Sequence, residues 1–247
     1  MGKNLQDHID YLSVHKYDSW SLIGFSLRSI FIKYPFEALK YILTKTGLFT
    51  STVAEAGGFI RSRGDIEVPD IQLHFAPGMI VDHGRVFQWG HGLSCHTCLL
   101  RPKSRGEVTL NSADPMDDPK IDPKFLSDPE DMKVMVDGYK KMMKILNDDS
   151  FSKYTSKHVH RPVDLGDDED IEQAIREEAD TVYHPVGTCM MGHDEMAVVN
   201  DKLKVHKMDG LRVIDASIMP TLVGGNTNAP TIMIGEKASD IILNHWA

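Results

Sequence analysis

LRVIDASIMPTLVGGNTNAPTIMIGEKASDIILN, residues 211–244, combines three different patterns in one stretch. Residues 211–214 are predominantly apolar and predict a short strand. Residues 215–229 contain two glycines and two asparagines, which predict a loop, and Pro230 suits the first residue of a helix that runs to about Asn244. Because the free N–H groups and the dipole at a helix N-terminus attract negative charge, this order predicts a corner that binds an anion or a cofactor.

Composition limits the classes of protein to which the chain can belong. The 247 residues carry a formal net charge of −9, and 41% of them are hydrophobic, which is typical of one large or two small globular domains. The acidic balance argues against a nucleic-acid partner, because phosphates are bound by concentrated positive charge. Three cysteines are too few for a disulfide-dense secreted scaffold.

The most apolar segment extends from Trp20 to Leu43. Four charged residues interrupt it, so we do not expect a membrane-spanning helix, which needs about 20 mostly apolar residues. Residues 19–46 predict two helical pieces separated at Pro35. We favour a buried or partly buried helix pair, while a pair that lies on a membrane surface or covers a pocket remains open.

Strand and loop signals occur through the middle of the chain. Residues 70–76, 97–100 and 107–110 predict strands, and the turn-rich residues 50–64 and 111–123 predict loops.

Two amphipathic helices are expected after this region. Ser127 or Asp128 caps the first helix and Pro129 begins it. Its apolar residues recur at spacings of three and four, and the four methionines among them predict core packing. The second helix covers about residues 168–179, with a charged face toward solvent.

Two motifs carry residues suited to catalysis. The first, YHPVGTCMMG, covers residues 183–192 and places His184 between a charged helix and a Gly-containing turn, not in an apolar periodic run. The second begins with DASIMP at residues 215–220 and continues as GGNTNAPT over residues 224–231. Asn228 can also act simply as a helix cap.

These motifs, in this order, resemble the closing signature of the glucose–methanol–choline (GMC) oxidoreductases, which are flavoenzymes. The opening GKNLQDH of residues 2–8 also resembles a segment of that family, and residues 90–115 are similar to its choline-dehydrogenase-like and alcohol dehydrogenase branch. The resemblance implies an α+β chain, and an α/β fold for the complete enzyme. An antiparallel-sheet substrate domain with covering helices would be joined to C-terminal elements of a Rossmann-like FAD domain.

The resemblance also implies domain boundaries. Residues 1–8 would be a remnant of the flavin domain, residues 9–181 the substrate-binding domain, and residues 182–247 a return to the FAD domain that carries the active-site motifs. The family's N-terminal GxGxxG unit, which binds FAD, does not occur in this sequence. We therefore expect the chain to be the C-terminal part of a longer enzyme, with the FAD-binding segment as its partner, and to be inactive when isolated.

The implied reaction is oxidation of an alcohol to a carbonyl, with hydride transfer to FAD. His184 would be the general base, because the ordinary histidine pKa of about 6.5 leaves a neutral imidazole near pH 7. Asn228 matches the second active-site position, where an amide can hydrogen-bond the alcohol but takes no proton. The implied cofactor-binding residues are Asp215, Ala216, Asn226, Thr227, Asn228, Ala229, Pro230 and Thr231.

The substrate is less constrained than the reaction. Asp10 lies at about the place where choline-oxidising relatives carry an acidic residue, so it is a candidate for binding the choline cation, and a surface carboxylate is an equal alternative. We place an aliphatic or aromatic alcohol ahead of choline, with an electron acceptor of unspecified class. The sequence favours a cytoplasmic or peripherally membrane-associated protein over a secreted one.

Two other functions remain open. A truncated, non-catalytic fragment or a partner-dependent substrate-binding subunit would bind no flavin, which an absorbance spectrum detects. A small metal protein would use Cys95, Cys98, His91 and His96, although a zinc site usually has four ligands and the chain has no second CxxC.

Overall fold

A computed structural model describes residues 1–17, 19–152, 157–159 and 162–246 of the chain. The strands are β1 Lys3–Leu5, β2 Ile9–Lys16, β3 Gly24–Phe25, β4 Ala56–Ile60, β5 Ile71–Ala76, β6 Gly90–Leu99, β7 Gly106–Thr109, β8 Lys120–Asp122, β9 Lys157–His158 and β10 Asp180–Thr181. The α-helices are α1 Tyr34–Thr44, α2 Pro129–Leu146, α3 Asp149–Ser152, α4 Asp168–Glu178 and α5 Asn228–Trp246. A π-helical turn covers Ser29–Lys33, and 3-10 turns cover Leu48–Thr50, Asp82–Gly84 and Ala216–Ile218. The chain is therefore a mixture of helices and antiparallel sheets, as the α+β prediction requires.

The chain divides into two units. The first contains Met1–Ile9, Leu99–Val134 and Asp180–Ala247, and the second contains Asp10–Cys98 and Met135–Ala179. Residues 99–134 thus group with the two terminal segments, whereas the resemblance placed them in the substrate domain. The physical reason is that β7 pairs antiparallel with β1. The assignment of the units to flavin and substrate domains stays a prediction.

The first unit is built on a three-stranded sheet and an apolar cluster. The strand order is β1-β7-β8, with both pairs antiparallel. Residues of the 183–192 motif, the DASIMP motif and α5 share one buried cluster, whose members are Val186, Val198, Val199, Leu203, Val205, Ile218, Met219, Leu222, Ile234 and Ala238. This cluster holds the two sequence motifs together.

The second unit is an antiparallel sheet with a helix packed on one face. The strand order is β2-β6-β5-β4, and Tyr11 of β2 stacks against Tyr139 of α2 with ring centroids 4.9 Å apart. Gly138 is a glycine because of this packing: a Cβ there would lie 2.8 Å from Ile71 Cδ1 and 3.0 Å from Thr97 Cγ2. The helix can approach the sheet closely only where it carries no side chain.

The prediction for α2 is confirmed in its start, cap and buried face. The helix begins at Pro129, and the Asp128 carboxylate accepts a hydrogen bond of 2.9 Å from the Glu130 N–H. All four methionines on its apolar face, Met132, Met135, Met142 and Met143, are buried. The stripe is core packing, as the sequence indicates.

The expectation of a buried or partly buried helix pair at residues 19–46 is wrong. The structure instead has β3, the π-helical turn and α1, with Pro35 in the first turn of α1. No residue of α1 is buried, and Phe31 and Leu43 are each 72% exposed. Among the described residues, no helix combines the length and apolar character that crossing a bilayer requires.

The double glycine at residues 57 and 58 belongs to a strand, although residues 50–64 predict a loop. β4 pairs antiparallel with β5, and Gly57 lies opposite His74. A Cβ on Gly57 would lie 2.3 Å from the Leu73 carbonyl oxygen, so the glycine allows the two backbones to approach. Glycine-rich sequence is ambiguous because the same residue serves turns and close strand contacts.

Three boundaries also differ from the sequence predictions. The predicted loop at 111–123 contains β8. The predicted strand at 211–214 is not a strand in the structure, where Arg212 makes only an isolated bridge with Lys204. Helix α5 begins at Asn228, two residues before Pro230, which therefore lies inside the first turn, where its missing N–H breaks no helical hydrogen bond.

Candidate active site

The candidate site lies in the first unit, where the 183–192 motif runs beside residues 2–8. The Gln6 and Val186 backbones exchange hydrogen bonds of 3.0 and 2.8 Å, and the Gly2 N–H donates to the Thr188 carbonyl at 2.8 Å. Gly187 has a φ of 93°, and a Cβ on it would lie 2.4 Å from the Asn4 carbonyl oxygen. The glycine of this motif is therefore required by the close approach of the two segments.

Asp7 anchors the backbone that carries His184. Its carboxylate accepts hydrogen bonds from the His184 N–H at 2.9 Å and from the Thr181 hydroxyl at 2.5 Å. Burial raises the pKa of Asp7 above its ordinary value, and these hydrogen bonds and the charge of His184 only partly offset that effect. Asp7 belongs to the GKNLQDH segment, and the sequence alone did not indicate a role for its side chain.

A second histidine lies directly against His184. His8 Nδ1 is 2.9 Å from His184 Nδ1, and the two rings meet edge-on with centroids 5.1 Å apart. His8 is fully buried, whereas His184 is half-buried. The His8 Nε2 faces the carbonyl oxygens of Val223 at 3.1 Å and Leu100 at 3.3 Å. The signal that could have singled out His8 is its position directly after Asp7 in the NLQDH segment.

The amide beside His184 belongs to Asn226, not to Asn228. The Asn226 Nδ2 lies 3.4 Å from the His184 Nε2. Asn228 is instead the first residue of α5, and both asparagines are exposed. The structure therefore brings Asn226, for which the resemblance implied only cofactor binding, next to His184, and the catalytic role of Asn228 stays a prediction.

The DASIMP motif forms a capped turn tied to the histidine motif. The Asp215 carboxylate accepts a hydrogen bond of 2.8 Å from the Ser217 N–H and so caps the turn Ala216–Ile218. The Cys189 N–H donates to the Ser217 carbonyl at 2.9 Å. Asp215 is exposed and Ala216 is half-buried, so the structure assigns them a structural role and leaves their contact with a cofactor a prediction.

The start of α5 has the properties that an anionic cofactor needs. Its first turn carries no acidic residue, so the positive end of the helix dipole is not compensated there. The Thr227 carbonyl accepts hydrogen bonds from the Thr231 N–H at 3.0 Å and from the Thr231 hydroxyl at 2.7 Å. Ala229 and Pro230 occupy the same turn. Both Thr231 donors are thus used within the helix, and it is the uncompensated dipole of this helix start that suits a negatively charged group such as the reduced flavin.

Asp10 lies in the second unit and is not a surface carboxylate. It is 2% exposed, and its Oδ2 lies 2.5 Å from His96 Nδ1. The structure therefore pairs Asp10 with an imidazole.

The residues proposed for a metal site do not converge. Cys95 and Cys98 are three residues apart on β6, so their side chains point to opposite faces of the sheet. His91 is engaged by Ser26, Ser29 and the Leu22 carbonyl. Within the described ranges, no group of three or more His, Cys, Asp or Glu side chains could hold a metal ion.

Comparisons with known proteins show the family to which the chain is similar. Residues 102–235 match the family described as GMC oxidoreductase. The chain is 46% identical over 244 residues to the alcohol dehydrogenase [acceptor] of Pseudomonas putida, covering 98% of this chain and 44% of that protein. It is 39% identical over 243 residues to the oxygen-dependent choline dehydrogenase of Cronobacter sakazakii, covering 98% and 43%. The chain thus spans less than half the length of the curated relatives it matches.

Solved structures show the same fold. A formate oxidase structure superposes with a TM-score of 0.86 at 25% identity, covering 99% of this chain and 47% of that chain. A pyridoxine 4-oxidase from Mesorbium loti superposes with a TM-score of 0.78 at 23% identity, covering 100% and 44%. The fold of this chain is therefore that of the corresponding parts of these oxidases.

Proposed function

This chain belongs to the GMC oxidoreductase family, and from that premise we propose that it supplies the proton-accepting site of an FAD-dependent enzyme that oxidises an alcohol to a carbonyl. The observation that carries the proposal is the half-buried His184, whose Nε2 faces the amide of Asn226 at 3.4 Å. An alcohol oxidation needs a base for the hydroxyl proton, and these two side chains together offer one base and one hydrogen-bond donor.

FAD, when bound, supplies the acceptor for the hydride that leaves the carbinol carbon with its electron pair. His184 Nε2 takes the hydroxyl proton. The electron pair left on the oxygen then forms the second C–O bond of the carbonyl as the carbon loses the hydride. The Asn226 N–H₂ donates a hydrogen bond to the substrate oxygen while negative charge develops on it. The buried Asp7 carboxylate attracts the resulting imidazolium and accepts a hydrogen bond from the backbone N–H of His184.

We propose a neutral alcohol, aliphatic or aromatic, as the substrate class. The carboxylate considered for the choline cation, Asp10, is buried and already paired with His96. Choline would need a carboxylate or an aromatic cage that is open to it. Comparing kcat/KM for choline with that for a neutral primary alcohol of similar size tests this preference, and a higher value for choline would contradict it.

Replacing the base tests the proposed function in the complete, flavin-containing enzyme. We expect His184→Gln to lower kcat by about 10²–10⁴-fold, because general-base catalysis contributes that range, while the bound-flavin absorbance is unchanged. His193→Gln is the matched control, since His193 is exposed on the same unit. Unchanged turnover in His184→Gln would remove His184 from the role of base.

We also propose that residues 27–43, here named the apolar segment, contact an anionic lipid surface. Phe31, Ile42 and Leu43 are 65–72% exposed there. Between residues 27 and 46 the chain has four basic residues and one acidic residue, against a net charge of −9 for the whole sequence. An exposed apolar stripe with a cationic border is the pattern of helices that lie in the interface of anionic membranes.

A further inference from the structure

The hydrogen bonds of His8 determine which nitrogen of that ring carries a proton. Its Nε2 faces two carbonyl oxygens, those of Val223 and Leu100, and carbonyl oxygens only accept. The His8 Nε2 must therefore be a donor. Because His8 is fully buried and burial disfavours the charged ring, His8 is neutral and its Nδ1 carries a lone pair.

The lone pair on His8 in turn determines which ring nitrogen of His184 carries the proton. The two Nδ1 atoms are 2.9 Å apart, so one must donate and the other accept. Since His8 Nδ1 accepts, His184 Nδ1 carries the hydrogen. A neutral His184 then has its lone pair on Nε2, which is the atom that faces the donor amide of Asn226.

We infer that His8 is a positioning residue that holds His184 in the Nδ1–H tautomer and so keeps the Nε2 lone pair available as the base. This inference rests on the proposed role of His184. His8 touches neither the substrate nor the cofactor in this scheme, and it acts only through the imidazole that it hydrogen-bonds. The carbonyls of Val223 and Leu100 contribute to this positioning because they orient His8.

The arrangement also prepares His184 for its charged state. When Nε2 takes a proton, Nδ1–H already points at the His8 lone pair, so no ring rotation or tautomer exchange is needed. In a histidine held in the other tautomer, Nε2 would carry a hydrogen and could not accept a proton. A wrong tautomer with intact geometry can cost about 10⁴-fold in kcat, as in a serine protease whose orienting aspartate is replaced by asparagine.

The test measures the tautomer directly, without flavin. In the full chain labelled with ¹⁵N-histidine, long-range ¹H–¹⁵N correlation spectra distinguish protonated from unprotonated ring nitrogens, and His184→Gln assigns the His184 signals by their loss. We expect wild-type His184 to carry its hydrogen on Nδ1. We expect His8→Leu, which removes the acceptor, to shift His184 to the Nε2–H form or to a mixture, and His8→Gln, which keeps an acceptor oxygen and an amide donor, to restore the Nδ1–H form in part.

A buried histidine in the second unit provides the control for nonspecific destabilisation. His91 is buried and bonded to the Leu22 carbonyl, so His91→Leu also removes an internal imidazole but leaves His184 unaltered. In the flavin-containing enzyme, His8→Leu should lower kcat by at least about 10-fold, with partial recovery in His8→Gln.

An Nε2–H tautomer in the wild type, or an unchanged tautomer in His8→Leu, would overturn the inference. The proposed function fails separately: turnover that survives His184→Gln would refute His184 as base even where the spectra show the Nδ1–H tautomer.

Discussion

Two asparagines separated by one threonine have different surroundings in this chain. Asn226 lies in the loop before α5 with its amide 3.4 Å from the His184 Nε2, whereas Asn228 begins α5. An amide that donates to a developing oxyanion contributes to the rate, while an amide at a helix start contributes to stability. The two residues can therefore be separated experimentally.

We predict that Asn226→Ala lowers kcat of the flavin-containing enzyme by about 10²-fold, the usual cost of removing one such donor. Asn228→Ala should leave kcat near the wild-type value and change only the unfolding midpoint. Steady-state kinetics and urea denaturation of both variants provide the comparison. A larger kcat loss in Asn228→Ala than in Asn226→Ala would support the assignment made from the resemblance instead.

A second prediction at this scale concerns Cys95, which is buried in β6. Burial raises the pKa of its thiol from the ordinary 9.0 to about 12. The folded chain therefore keeps the proton where the unfolded chain loses it, so stability falls as the pH rises from 9.0 towards about 12. At pH 8 Cys95 should resist iodoacetamide in the native chain and react in concentrated urea. Rapid native alkylation of Cys95, located by mass spectrometry, would contradict this prediction.

At the scale of elements, β4 illustrates how backbone packing decides which glycines are required. Gly57 and Gly58 are neighbours in one strand, but only Gly57 faces the β5 backbone, where a Cβ would lie 2.3 Å from the Leu73 oxygen. A Cβ on Gly58 would meet nothing within 4 Å. Substitutions at Gly57 and Gly58 therefore provide a test and its control within one dipeptide.

We predict that Gly57→Ala destabilises the chain by about 1–3 kcal/mol, the usual cost of overpacking, because a backbone oxygen cannot move aside as a side chain can. Gly58→Ala should be neutral or slightly stabilising, since it restricts the unfolded chain without a clash. Urea denaturation measures both effects. Equal unfolding midpoints for the two variants would show that β4 does not pair with β5 in this register.

At the scale of the whole molecule, the apolar segment contrasts with the chain that surrounds it. The sequence is acidic overall, and most of its large aliphatic side chains in α2 and α4 are buried. Most large apolar side chains of residues 27–43 are instead exposed, and basic residues lie among them. Two basic side chains of the segment contact residues that precede it: Arg28 lies over the Trp20 ring at 3.6 Å, and the Lys33 ammonium donates to the Leu22 carbonyl at 2.9 Å.

We predict that the chain binds vesicles containing phosphatidylserine more strongly than neutral phosphatidylcholine vesicles, and that salt weakens this binding. Replacing Phe31 and Leu43 together by serine should lower binding at least about 10-fold, because burying each large apolar side chain is worth about 1.5–3 kcal/mol. Leu110→Ser is the control, since Leu110 is 86% exposed outside the segment. Cosedimentation provides the measurement. Self-association without lipid binding, detected by light scattering, would identify a second copy as the partner instead.

Local patterns were sufficient for several elements. The cap and apolar spacing of α2, the alternation in β5 and the charged helix α4 depend on windows of fewer than 20 residues, so each is readable without the fold. The same windows failed for β4 and for residues 19–46. In both cases a short pattern had two structural meanings, and distant packing decided between them.

The sequence by itself determined the family, the motifs and the candidate base, His184, because these depend on residue types in a fixed order. Only the tertiary structure decided which groups meet His184: His8 is 176 residues away along the chain, and Asn226 rather than Asn228 turns its amide toward the imidazole. It also decided that Asp10 is buried and paired with His96. The physical reason is that hydrogen-bond partners across long separations depend on the path of the whole backbone, which no local periodicity records.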